Sequence, residues 1–185
     1  REDVREVLAR LHQLGIRKTI MLTGDNERVG RAIANAVGLD EVKAGLLPED
    51  KVKAMEELGQ RYGQVAMVGD GVNDAPAMAR ATVGIAMGGA GTDVALETAD
   101  VALMADDLSK LPFAVALSRA SRRIIRQNLF VSLGVVALLI PATLFGWAGI
   151  GVAVLIHEGS TIIVVVNALR LLAYKTSSVG KSFRK

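Results

Sequence analysis

The chain contains no cysteine, which removes a disulfide framework and any thiol site from consideration and leaves the redox compartment open. Aromatic residues make up only 4%, none is interleaved with a basic face, and no nucleic-acid reader motif is present. A formal net charge of +3 therefore does not point to nucleic acid, and no nucleic acid is expected as a partner. Histidine occurs twice. His12 lies on an amphipathic segment and reads as a surface residue. His157 is followed four residues later by Thr161 rather than a second histidine, which excludes a zincin motif. No short apolar core with a cleavage site follows Arg1, so no secretory signal peptide is expected. Charge is scarcest between Asn128 and Leu169, where only Pro141, a few hydroxyls, Trp147, His157, Glu158 and Asn167 relieve an aliphatic run.

Hydrophobic residues reach 51% and charged ones 22% of the 185 residues, and the two classes are segregated. That length suffices for one compact domain with an appendage. Two segments, Leu129 to Phe145 and roughly Gly149 to Leu172, meet the ~20-residue requirement for crossing hydrocarbon. The bend between them, "GWAGIG", is short enough to make them antiparallel. Arg119, Arg122, Arg123 and Arg126 precede the first segment; Arg170, Lys175, Lys181, Arg184 and Lys185 follow the second. Basic flanks mark the cytoplasmic side, so both ends are expected there, with a lipid bilayer as partner in a multi-pass cell-membrane protein.

Before the apolar run, helix and strand periods alternate. "REDVREVLARLHQLG" spaces Val4, Val7, Leu8, Leu11 and Leu14 helically. Strands are expected at Thr19 to Leu22, Val65 to Val68, Val83 to Ala86 and Val101 to Met104. Helices are expected at Val29 to Val37, ending at Gly38, and from Pro48 onward. The fold class is α/β with a parallel sheet. Chemistry in such folds sits beyond the carboxyl ends of strands, and both "TGD" and "GDGVND" fall there. Asp70 and Asp74, on one strand-to-helix turn, can aim oxygens at a hard cation such as magnesium. Gly69 and Gly71 admit a close phosphoryl group, and Asn73, counted with the catalytic residues, can hold the turn or position a neighbouring ligand. Thr23 and the Gly24 amide offer donors to phosphoryl oxygens, and Lys51 offers a positive charge. "GGAGTD", Gly88 to Asp93, has the wrong glycine spacing for a dinucleotide loop and reads as structural.

"TGD" at Thr23 to Asp25, "PEDK" at Pro48 to Lys51 and "GDGVNDAPAM" from Gly69 occur in the order found in the phosphorylation domain of P-type ATPases, which this chain resembles over nearly its whole length. The resemblance implies a haloacid-dehalogenase-like Rossmannoid domain, partial here, at residues 1–112. A basic juxtamembrane helix at 113–128, two transmembrane helices within 129–172 and a cytoplasmic tail at 173–185 would follow. It implies Asp25 among the catalytic residues, Mg2+ and ATP as cofactors, and an aspartyl-phosphate intermediate. The "DKTGT" aspartate of that family is not in this chain, so neither ATPase activity nor a phosphoenzyme is expected from it alone. A nucleotide-binding domain and further membrane helices are implied as partners.

"HEGST" resembles the last membrane helix of the heavy-metal branch associated with cobalt and zinc, where His157, Glu158 and Thr161 would belong to the transport site. Their chemistry agrees: a charge at mid-bilayer is costly and marks function, and Thr161 shares a helical face with both. Imidazole and carboxylate suit a divalent transition metal, while Cu(I) prefers thiolate or thioether, and neither segment has Cys or Met. Two rivals are a membrane-tethered phosphatase of the same superfamily and a non-catalytic truncated pump subunit.

Overall fold

The computed structural model describes residues 3–70, 73–87, 99–103 and 107–174. Gly71, the "GGAGTD" segment, Met104 and the basic tail from Lys175 lie outside the described residues. The chain divides into two units, Arg1–Pro112 and Phe113–Lys185.

In the first unit, α1 (Asp3–Gln13) precedes β1 (Ile20–Leu22), and α2 (Glu27–Val37) precedes β2 (Glu41–Lys43). Next come α3 (Pro48–Tyr62), β3 (Ala66–Gly69), the short α4 (Ala75–Met78), β4 (Val83–Met87) and β5 (Val101–Leu103). Helix α2 starts where the Asn26 side chain accepts the Val29 N–H at 2.9 Å and ends at Gly38, whose φ of 83° is left-handed. Such a cap satisfies groups that the helix itself leaves unpaired. Pro48 opens α3 at a position where the missing N–H costs nothing, and Asp50 Oδ2 accepts the Leu47 N–H at 3.2 Å.

Every strand pairing is parallel, but the strands form two sheets, β1 with β2 and β3–β4–β5 in that order. Met55, Leu58, Met67, Ala77, Met78 and Ala86 form the core, and Ile20 and Leu22 of β1 pack against it. The sheets therefore share one apolar centre without sharing hydrogen bonds. At the start of β1 and β2, the Thr19 N–H and hydroxyl both donate to Asp40 Oδ2 at 2.7 Å. Chiefly through the hydroxyl, they hold the Asp40 carboxyl below its usual range.

The second unit contains most of α5 (Lys110–Leu144), followed by α6 (Ile150–Leu169). Both helices are long and apolar enough to cross a membrane, with mean hydropathy of 1.8 and 1.9 in their most apolar windows. Twenty residues of α6 rise about 30 Å, the thickness of the hydrocarbon layer. The turn between them stacks Phe145 on Trp147, with centroids 5.4 Å apart. At the opposite end Phe113 meets Tyr174 at 6.0 Å, so the two helices run antiparallel.

Candidate functional site

In the first unit, the expected residues gather at the carboxyl ends of β1 and β3 and at the start of α3. Thr23 follows β1 directly. Its N–H donates to the Lys43 carbonyl and its own carbonyl accepts from Leu46, both at 3.0 Å. Its hydroxyl accepts the Asp25 N–H and donates to Asp25 Oδ2, each at 3.1 Å. The "TGD" turn is thus closed on itself and tied to the loop after β2, leaving Gly24 and Asp25 exposed.

Lys51, in the first turns of α3, sends Nζ to Asp74 Oδ1 at 2.7 Å, and the two side chains are only 19% and 17% exposed. A largely desolvated, hydrogen-bonded pair of this kind fixes both groups, because leaving either one alone would strand a charge. Asp74 also packs on Gly69: a Cβ at Gly69 would stand 2.8 Å from both Cβ and Oδ2 of Asp74. The glycine that the sequence suggested for phosphoryl approach is here what seats Asp74. Asp70 follows β3 and is exposed, as is Asn73. Asp74 is thus held by Lys51, and Asp70 stands exposed at the strand end. No group of three or more His, Cys, Asp or Glu side chains is poised to hold a metal among the described residues. Magnesium needs no such cluster: it takes one or two carboxylates and completes its shell with water and phosphate.

In the second unit, His157 and Glu158 line a groove of about 420 Å³ between α5 and α6, whose walls include Leu139, Thr143 and Ala153. The structure brings His157 and Glu158 together but turns the Thr161 hydroxyl elsewhere, to the His157 carbonyl at 3.3 Å. The Ser160 hydroxyl bonds the same carbonyl at 2.6 Å, and Ser160 is buried. Thr143, a wall residue that the sequence reading missed, donates to the Leu139 and Ile140 carbonyls at 2.9 Å. A hydroxyl in an otherwise apolar helix was the available signal.

The chain is 53% identical over 175 residues to a probable cadmium-transporting ATPase of Alkalihalophilus pseudofirmus, covering 95% of this chain and 24% of that protein. It is 52% identical over 172 residues to a zinc-transporting ATPase of Bacillus subtilis, covering 93% and 27% respectively. A crystal structure of a zinc-transporting PIB-type ATPase in the E2.Pi state matches with a TM-score of 0.85 at 52% identity, over 93% of this chain and 28% of that one. The chain belongs to the heavy-metal P-type ATPases. It corresponds to their carboxyl-terminal part and spans about a quarter of the length of the curated relatives it matches. The family model for haloacid dehalogenase-like hydrolases matches residues 1–82, the stretch that holds the "TGD" turn, Lys51 and the "GDGVND" turn of this ATPase segment.

Proposed function

We propose that the complete protein is an ATP-driven efflux pump for a divalent heavy-metal cation of the zinc, cadmium or cobalt kind. The observation that carries this reading is the pairing of His157 and Glu158 in one groove between two membrane-competent helices, on a chain that also carries the Lys51–Asp74 pair beside "TGD". Zinc and cadmium enter through the names of the relatives, cobalt through "HEGST". Imidazole and carboxylate donors are compatible with all three and unattractive to Cu(I).

Lys51, aimed by Asp74, places its ammonium against phosphoryl oxygens, and the Gly24 N–H and Thr23 hydroxyl donate to them. Asp70 would hold the magnesium ion, which supplies positive charge to the transferring group when bound. The acceptor aspartate lies outside this chain. A parallel strand inserted between β1 and β3 would join the two sheets, and its carboxyl end would emerge beside Thr23 and Asp70, where that aspartate is required. ATP is bound mainly by another domain. The α/β unit and the carboxyl terminus face the cytoplasm, in keeping with Arg119, Arg122, Arg123, Arg126 and Arg170 on that flank.

The test uses the full-length transporter in vesicles. Glu158→Gln and His157→Ala should abolish ATP hydrolysis stimulated by zinc, cadmium or cobalt, while phosphorylation from inorganic phosphate, which needs only the cytoplasmic site, persists. Retained stimulation in both folded variants would overturn the transport-site reading, and stimulation of the parent by Cu(I) alone would overturn the choice of metal.

A further inference from the structure

Away from the Phe145–Trp147 turn, the middle of α5 and the last turn of α6 carry the only side-chain hydrogen bonds that join the two helices among the described residues. Asn167 Nδ2 donates to Asn128 Oδ1 at 2.8 Å and to Gln127 Oε1 at 3.3 Å, while Asn128 Nδ2 donates to the Val164 carbonyl at 3.3 Å. Arg170 Nη1 donates to Asn167 Oδ1 at 2.9 Å, so the Asn167 amide has partners on both its oxygen and its nitrogen. We propose that Asn128 and Asn167 are positioning residues, a polar register lock that holds the hairpin in the one alignment that sets His157 and Glu158 in their groove.

The seam between the helices gives the reason such a lock is needed. Its covered positions recur at spacings of four and three: Asn128, Ser132, Val135 and Leu139 on α5, and Ser160, Val164 and Asn167 on α6. Small and aliphatic residues at that spacing pack nearly as well after a slip of one turn, because lipid offers no hydrophobic penalty that picks one register. A polar residue in the seam does pick one, since misalignment strands its amide in an apolar medium. The distances agree. Leu139 lies eleven residues beyond Asn128 and His157 lies ten residues before Asn167, so each sits about 15 to 16 Å from the amide pair. Leu139 and His157 are both walls of the groove. A slip of one turn would carry His157 about 5.4 Å along α5 and dismantle that wall.

This inference rests on reading His157 and Glu158 as transport ligands, and the experiment separates the two claims. In the full-length transporter, Asn128→Leu with Asn167→Leu keeps the branched side-chain shape and removes both polar groups, an exchange that is nearly neutral in stability. Register is read by disulfide formation between introduced cysteines, identified by peptide mass spectrometry. One pair, Val135→Cys with Ser160→Cys, is aligned, each residue lying seven from its asparagine; the other, Val135→Cys with Val164→Cys, is one turn off. The parent should cross-link the aligned pair preferentially. The double-leucine variant should lose that preference and raise the half-saturating zinc concentration roughly 3- to 20-fold, the range one interhelical polar contact in a membrane supports. Phosphorylation from inorganic phosphate and the melting temperature should hold. A retained preference for the aligned pair overturns the lock. A lost preference with unchanged zinc response, where His157→Ala does abolish that response, overturns the positioning role. If His157→Ala leaves the zinc response intact as well, the transport reading is what failed, and the cross-linking still decides the lock.

Discussion

Gly69→Ala concentrates the packing of the phosphoryl site into one methyl group. The added Cβ would lie 2.8 Å from Asp74 Cβ and Oδ2 and 3.2 Å from its Cγ, where carbon atoms normally rest about 3.5 to 4.0 Å apart. Asp74 must therefore retreat by roughly 0.7 to 1.2 Å. Its bond to Lys51 Nζ is 2.7 Å long, and a retreat of that size takes it to or past the limit of a hydrogen bond. Overpacking of this kind costs about 1 to 3 kcal/mol in stability. A displacement near 1 Å in a positioned group costs on the order of 10²-fold in rate. The assay is acid-stable phosphoenzyme formed from labelled ATP by the full-length transporter, per unit of folded protein, with Lys51→Ala as the reference. The second-site variant Asp74→Gly removes all three atoms that clash. If packing is the cause, Gly69→Ala added to Asp74→Gly should do no further harm, because the two residues act as one contact. Phosphorylation by Gly69→Ala at the parental rate would refute the reasoning. Additive losses in the double variant would return Gly69 to the role of admitting the phosphoryl group.

Two further predictions concern the first unit. Gly59→Ala should raise stability by about 0.5 to 1 kcal/mol, because Gly59 sits inside α3 and a Cβ there meets nothing within 4 Å; a lowered denaturation midpoint would contradict this. Asp40, whose carboxyl is held below its usual value of 3.8 first by the Thr19 hydroxyl and then by the Thr19 N–H, should contribute stability that is fully present above that value and lost as pH falls through the lower folded value. Asp40→Asn should therefore unfold more easily than the parent at neutral pH and converge with it on acidification, and a pH-independent difference would refute the linkage.

Periodicity made most of the first unit legible, and its misses have local causes. Strand β2 went unread because Glu41, Val42 and Lys43 offer one apolar side chain between two charges. What makes them a strand is pairing with Ile20, Met21 and Leu22, each partner twenty-one residues away. Helix α5 begins at Lys110 rather than near Phe113 because Pro112 falls in its first turn, where proline is tolerated and does not mark a boundary. The division into two sheets was also unread, since a parallel pattern in sequence does not reveal which strands pair.

The site shows where sequence spacing informs and where it misleads. Asp70 and Asp74 lie close in sequence, so they read as two ligands for one cation. The fold instead brings Lys51 to Asp74 from twenty-three residues away, through the packing of α3 on α4. Short spacing within one turn shows that two groups are near each other. It does not show which third group claims one of them. His157 and Glu158 were legible for the opposite reason: in an apolar run the desolvation cost of each is itself the signal, whatever the partner. Thr161 follows the same logic one step further. Its spacing puts it on a shared face with both, but a hydroxyl in an apolar helix finds its own carbonyl four residues back before anything across the groove, and the bond to His157 O at 3.3 Å is that competition resolved. The bond ties the Thr161 hydroxyl to its own helix and leaves only its oxygen lone pairs for a metal, whereas His157 and Glu158 already line the groove. Thr161→Val should therefore weaken metal stimulation far less than Glu158→Gln, and equal losses would show that the hydroxyl oxygen is a full ligand.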